Sequence, residues 1–288
     1  MENICVVTGG GSGMGLEAAK LLGKTNHIIL VGRTVSKLEQ AISELKELGI
    51  SAEAFPADAS DRQAVKKLAE YASEKGNVKT LIHAAGVSPH MSDGEKIFDI
   101  NALGTIHMDE EFANIMKEGS CILNVSSMSA YMMPADKAPK QVYKLSLSDE
   151  EAFKNTMHQI IKGVPEEQQR EMAYTLSKNF VVWYTSRMAV SCGKKGIRVV
   201  SISPGIPMPR RWRPWPGLAR GCCFSAPSGT GPSRRGAADC ICRGDTRSCM
   251  PRPWHKTAPC GRRSALRWRM ACPQWRCTTF RVYRCVYT

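Results

Sequence analysis

No stretch of this 288-residue chain approaches the roughly 18 consecutive apolar residues that a membrane-crossing helix requires, so a helical span is excluded and no membrane partner is expected. The start lacks a basic region and a long apolar core, running from Met1 straight into Ile4-Cys5-Val6-Val7, so no secretory leader is expected and the location expected is cytoplasmic. Cys-x2-Cys pairs are absent; the nearest spacings, Cys240-x-Cys242 and Cys272-x4-Cys277, do not make a zinc ribbon, and no metal site is expected. Without a leader a disulfide scaffold has no oxidising compartment to form in. With 43% hydrophobic residues the chain is neither fibrous nor wholly disordered.

Two absences divide the chain. Residues 207–288 contain no Glu and no Asn, and only 7 of those 82 residues are Leu, Ile, Val or Phe. They hold 16 Arg, one Lys and two Asp, a formal charge of +15, which leaves −1 for residues 1–206. Nine of the twelve cysteines also lie there. So little apolar surface beside so much charge cannot build a core, and disorder is the expectation for this segment. The skewed composition reads as a GC-rich gene translated in the wrong frame from about Ile206; the rival reading is a genuine arginine-rich tail. Trp212, Trp215, Trp254, Trp268 and Trp275 among the arginines would suit phosphate contact and base stacking, a nucleic-acid-binding module. Salt-dependent adhesion is expected of any segment so charged, and no specific nucleic-acid partner is expected.

Residues 1–206 alternate strand and helix, the pattern of an α/β domain with a Rossmann-type, doubly wound parallel sheet. Short apolar runs predict strands at 4–8, 27–31, 52–55, 80–83, 121–125 and 198–202. Helical spacing is present at 14–22, 35–48, 65–71 and, for the most part, 95–116. A further helix is expected from Ser148, with Glu151 completing a capping box, to Ile161; another runs from near Pro165 through Lys178 to about Val190.

Thr8-Gly9-Gly10-Gly11-Ser12-Gly13-Met14-Gly15 follows the first strand and opens the first helix, where a turn must tighten, approach a pyrophosphate and present a helix N-terminus to it. Arg33 follows the second strand, and Gly32 stands where a carboxylate would bind a ribose 2′-hydroxyl. A cation without that carboxylate favours a 2′-phosphate, hence NADP(H), with NAD(H) the lesser alternative. Tyr174 and Lys178 are four apart on a helix and share a face, so an ammonium can favour the phenolate of its neighbour.

Together with His83-Ala84-Ala85-Gly86 after the fourth strand, Asn101, Asn124-Val125-Ser126-Ser127 and Pro204-Gly205, these motifs occur in the order found in the short-chain dehydrogenase/reductase family, which residues 1–206 resemble. The resemblance implies an oxidoreductase interconverting a ketone and a secondary alcohol, with a small-molecule carbonyl or alcohol as partner and a homo-oligomeric assembly. It implies Tyr174 as acid/base, Lys178 on the nicotinamide ribose, Ser127, in preference to Ser126, on the substrate carbonyl, and Asn101 holding a relay water. The implied cofactor contacts are Thr8, Gly9, Gly11, Ser12, Gly13, Met14, Gly15, Arg33, Asp58, Ala59, Ala84, Ala85, Gly86, Tyr174, Lys178, Pro204 and Gly205.

Three departures qualify it. His83 stands where the family usually has Asn. Ser127 and Tyr174 are 47 residues apart, longer than usual, and the added helix lies in that interval. This layout is similar to the 3α-hydroxysteroid dehydrogenase/carbonyl reductase branch, where such an insertion alters the dimer surface. Tyr131, Met132 and Met133 then either line an apolar substrate pocket or pack in the core. Nothing after Ile206 resembles the family's substrate lid or last strand, which makes a catalytically inactive nucleotide-binding protein the alternative.

Overall fold

The computed structural model describes residues 2–205; both readings of the basic segment, and its cysteines and tryptophans, lie outside the described residues. Six parallel strands form one sheet in the order β3-β2-β1-β4-β5-β6, with β1 Asn3–Thr8, β2 His27–Gly32, β3 Ala52–Pro56, β4 Asn77–His83, β5 Cys121–Val125 and β6 Arg198–Ile202. The strand order reverses between β1 and β4, the switch point at which an open α/β sheet leaves a crevice. Strands covered on both faces need no alternation, and the runs Ile4–Val7 and Ile28–Val31 are wholly buried.

Helices α1 Gly13–Leu22 and α2 Val35–Glu47 cover one face, over a core containing Val7, Leu16, Leu30 and Leu45. The other face carries α3 Arg62–Lys75, α4 Gly94–Phe98, α5 Gly104–Ile115, the short α6 Lys140–Tyr143, α7 Glu150–Lys162 and α8 Glu166–Gly193. The core beneath them includes Phe98, Phe112, Phe153, Phe180 and Tyr184. Among the described residues no helix is long and apolar enough to cross a membrane.

Two elements differ from the sequence pattern. The helical stretch at 95–116 is broken into α4, a π-helical turn Asp99–Leu103 and α5. The capping box at Ser148 does not form: Asp149 caps α7 by accepting the Ala152 N–H at 2.9 Å, while the Ser148 hydroxyl donates to the Leu145 carbonyl. A carboxylate one residue later is at least as good a cap, and it starts the helix there.

Register levels the strand ends. Thr8 pairs with His83, His83 with Asn124 and Asn124 with Ser201, so the loops following β1, β4, β5 and β6 leave from a single margin.

Candidate active site

At that margin the loops after β1 and β4 are tied side by side. The Thr8 hydroxyl accepts the Ala85 N–H at 3.0 Å and shares a 2.9 Å bond with His83 Nδ1. Gly9 has φ +65°, and a Cβ there would lie 3.0 Å from the Ala84 carbonyl carbon. Gly15 is tighter still, since its Cβ would stand 2.5 Å from the Gly9 carbonyl oxygen. Only glycine lets helix α1 start this close to the turn. Ser12 makes no side-chain cap bond, so the first-turn N–H groups have no side-chain acceptor there.

A cleft of about 170 Å³ opens along this turn. Of the expected cofactor contacts, Thr8, Gly9, Gly11, Ser12, Arg33, Asp58, Ala59, Ala85 and Gly86 are among its lining residues. Gly13, Met14, Gly15, Ala84, Asn101, Ser127, Tyr174, Lys178, Pro204 and Gly205 are not among its lining residues. Thr34, Lys37, Val87 and Ile100 line it without having been singled out. Lys37 carried a signal, a second cation one helical turn beyond Arg33. Arg33 Nη1 lies 3.7 Å from Asp58 Oδ2. Burial would raise the Asp58 carboxyl, but two hydrogen bonds from Ser60 and the Arg33 charge hold it below its usual range.

Gly86 is the hinge between the cleft and the titratable groups. A Cβ on it would approach Asn101 Oδ1 to 3.0 Å and Lys178 Nζ to 3.2 Å. Asn101 sits on the π-turn, buried, accepting the Val87 N–H at 2.9 Å and donating to the Val87 carbonyl at 3.1 Å and to Ser177 Oγ at 3.2 Å. Lys178 Nζ donates to the Val125 carbonyl at 2.9 Å and lies 6.0 Å from the centre of the Tyr174 ring. Burial pulls its ammonium down to about 8. Tyr174 is half-buried.

The two serines after β5 separate cleanly. Ser126 is buried and donates to the Lys178 carbonyl at 2.7 Å, a structural bond from strand to helix. Ser127 is half-buried and its Oγ accepts the Ser129 N–H. The Met128 N–H donates to the Pro204 carbonyl, so the segment after β6 is held to this loop. His83 is buried and neutral, with burial pulling it down to about 3, and its Nε2 has no partner among the described residues. Tyr131 and Met132 are exposed, contrary to a core role, whereas Met133 packs against the core.

Residues 3–140 match the family model for short chain dehydrogenase. The chain is 30% identical over 208 residues to 2,3-dihydro-2,3-dihydroxybenzoate dehydrogenase of Bacillus subtilis (strain 168), covering 70% of this chain and 69% of that one. The protein belongs to the short-chain dehydrogenase family. Versicolorin reductase of Emericella nidulans is 26% identical over 214 residues, covering 70% of this chain and 68% of its own length. Among solved structures, actinorhodin polyketide ketoreductase with NADPH superposes with a TM-score of 0.53 at 22% identity, covering 71% of this chain and 70% of that one, which supports the fold. As a short-chain dehydrogenase the chain is an oxidoreductase.

Proposed function

We propose that this chain is an NADP(H)-dependent oxidoreductase that interconverts a bulky ketone, hydroxysteroid-like in size, with its secondary alcohol, and that it associates with copies of itself. The observation that carries the reading is Gly86, which lines the cleft and whose missing side chain leaves room beside Lys178 and Asn101. The residues fit the cofactor: side chains at Gly9, Gly15 and Gly86 would collide with backbone or with polar groups, so the close approach a dinucleotide needs is kept clear. Arg33 and Lys37, lining the same cleft, suit a 2′-phosphate, and Asp58 would border the adenine.

When bound, the nicotinamide supplies or accepts the hydride. Tyr174 gives a proton to the substrate oxygen or takes one from it, and Ser127 donates a hydrogen bond to the same oxygen. Lys178 carries its charge 6.0 Å from the Tyr174 ring and would hold the ribose hydroxyls. Asn101, bound to the Val87 backbone on both sides, would fix a water that links Lys178 to solvent. Exposed Met128, Tyr131 and Met132 immediately after Ser127 offer an adaptable apolar wall for a bulky substrate. The names of the relatives, a dihydrodiol dehydrogenase and a reductase, support oxidoreduction of small oxygenated molecules.

Fluorescence titration of the full chain is expected to give tighter binding of NADPH than of NADH, with the preference reduced by Arg33→Asp. Tyr174→Phe is expected to lower turnover of cyclic ketones by about 10²-fold or more while NADPH affinity stays the same. A chain that binds neither dinucleotide, or a Tyr174→Phe variant at full rate, overturns the reading.

A further inference from the structure

The helix that lengthens the interval between Ser127 and Tyr174 is wedged between the two elements that carry the titratable groups. On its apolar side Phe153, Met157 and Ile161 of α7 are fully buried. Phe153 meets Phe98 of α4 at 5.6 Å and Phe180 of α8 at 4.8 Å between ring centres. Phe98 directly precedes the π-turn that holds Asn101, and Phe180 lies two residues beyond Lys178. One line of aromatic contact therefore joins the Asn101 turn to the Lys178 helix through α7.

A polar contact fixes the same junction. His158 of α7 places Nε2 2.7 Å from the carboxylate of Asp99, the first residue of the π-turn, and Nδ1 3.4 Å from Glu95. Lys162, one turn further along α7, sits 2.6 Å from Glu95. The His158 side chain is only 14% exposed and its ring stands edge-on to Phe98, so the contact is shielded from competing water. Charge-assisted bonds of this length in shielded places carry more energy than surface pairs.

A π-turn breaks the i to i+4 ladder of a helix, and contacts made by its side chains can hold it in place. Here it is anchored from both sides, and Asn101 also donates to Ser177 Oγ of α8. Inside, Asn101 is bonded to the Val87 backbone; outside, Asp99 is held by His158. We propose that His158 is a positioning residue, acting through Asp99 to keep the π-turn wound so that Asn101 stays docked on Val87 beside Lys178. The step from docking to turnover rests on the proposed role of Asn101 in proton transfer; the docking itself does not.

Hydrogen exchange at the Val87 amide reads the docking directly, because its N–H is bonded to Asn101 Oδ1. In the full chain, His158→Ala is expected to speed exchange of Val87 about tenfold with the amides of β1 unchanged. His158→Gln, which can still donate to Asp99 from a similar position, is expected to restore most of the protection. With NADPH and a cyclic ketone, His158→Ala should lower kcat several-fold with KM for NADPH unchanged, and His158→Gln should recover it. Val87 exchange that is unaltered in His158→Ala, or that rises together with every core amide, overturns the proposal; a kcat that does not move while Val87 loosens overturns only the step from docking to turnover. If Asn101→Ala retains full turnover while His158→Ala still loosens Val87, the proton-relay role fails and the mechanical link from His158 to the turn stands.

Discussion

Asp109 shows what a single buried group contributes to the pH response of this fold. It is fully buried on α5, where one carboxylate oxygen accepts the Asn124 amide at 2.8 Å and the other has no partner among the described residues. Burial pushes its carboxyl up to about 8; the Asn124 bond opposes the shift and the nearby Glu110 charge adds to it. The ordinary aspartate value is about 4, so between about pH 4 and 8 the folded chain holds a proton that the unfolded chain releases. Its stabilising effect is complete below about pH 4 and is lost as the pH rises through 8. Lys178 moves the other way: its ammonium, pulled down to about 8, is charged in both states below that pH, so it adds little slope in the same window. His83, pulled down to about 3, has the opposite slope below about pH 6.5, so the test is a comparison: from about pH 5 to pH 8, urea unfolding should show stability changing less favourably in the natural chain than in Asp109→Asn. An equal change in the two chains would show that Asp109 is ionised in the folded chain. Nothing in the sequence marked this residue, because a lone aspartate on an amphipathic helix reads as solvent-facing; only the packing of α5 beneath its neighbours buries it.

At the scale of elements, the strands were the most legible part, because a strand covered on both faces must be apolar throughout and Ile4–Val7 and Ile28–Val31 are. The glycine turn was legible for the same kind of reason: its spacing is dictated by backbone contacts that forbid a Cβ. The π-turn was not, since apolar residues continue at helical spacing through 95–116 and a one-residue widening leaves no trace in periodicity. Lys37 escaped notice because a lysine in a first turn resembles any solvated charge until the loop after β2 folds it onto the cleft. The start of α7 was misplaced by one residue, and this yields a sharp test. Asp149 supplies the cap and Ser148 does not, so Asp149→Ala should cost about 1 kcal/mol of unfolding free energy and Ser148→Ala only a few tenths. Equal costs in the two variants would restore the capping box that the spacing of Ser148 and Glu151 suggests.

For the whole molecule, what decides the site is topology acting on scattered motifs. Parallel strands in level register send every βα loop to one margin, so Thr8, Arg33, Asp58 and Gly86, separated by tens of residues, line one cleft. Charge is distributed just as unevenly, with −1 on residues 1–206 and +15 on residues 207–288. A formal charge of that size attracts any polyanion, and the attraction carries no sequence information unless base edges are read. Fluorescence anisotropy of the full chain with duplexes of unrelated sequence should therefore give affinities agreeing within a few fold. Those affinities should fall by about 10³ between roughly 50 and 200 mM salt, as counterions released from the phosphates become harder to displace into solution. A preference of about 10³ or more for one duplex at a fixed salt concentration would place specific recognition in the basic segment, since that is the margin by which specific complexes exceed non-specific ones. If the affinities are uniform and vanish with salt, the +15 charge attracts polyanions without reading their sequence.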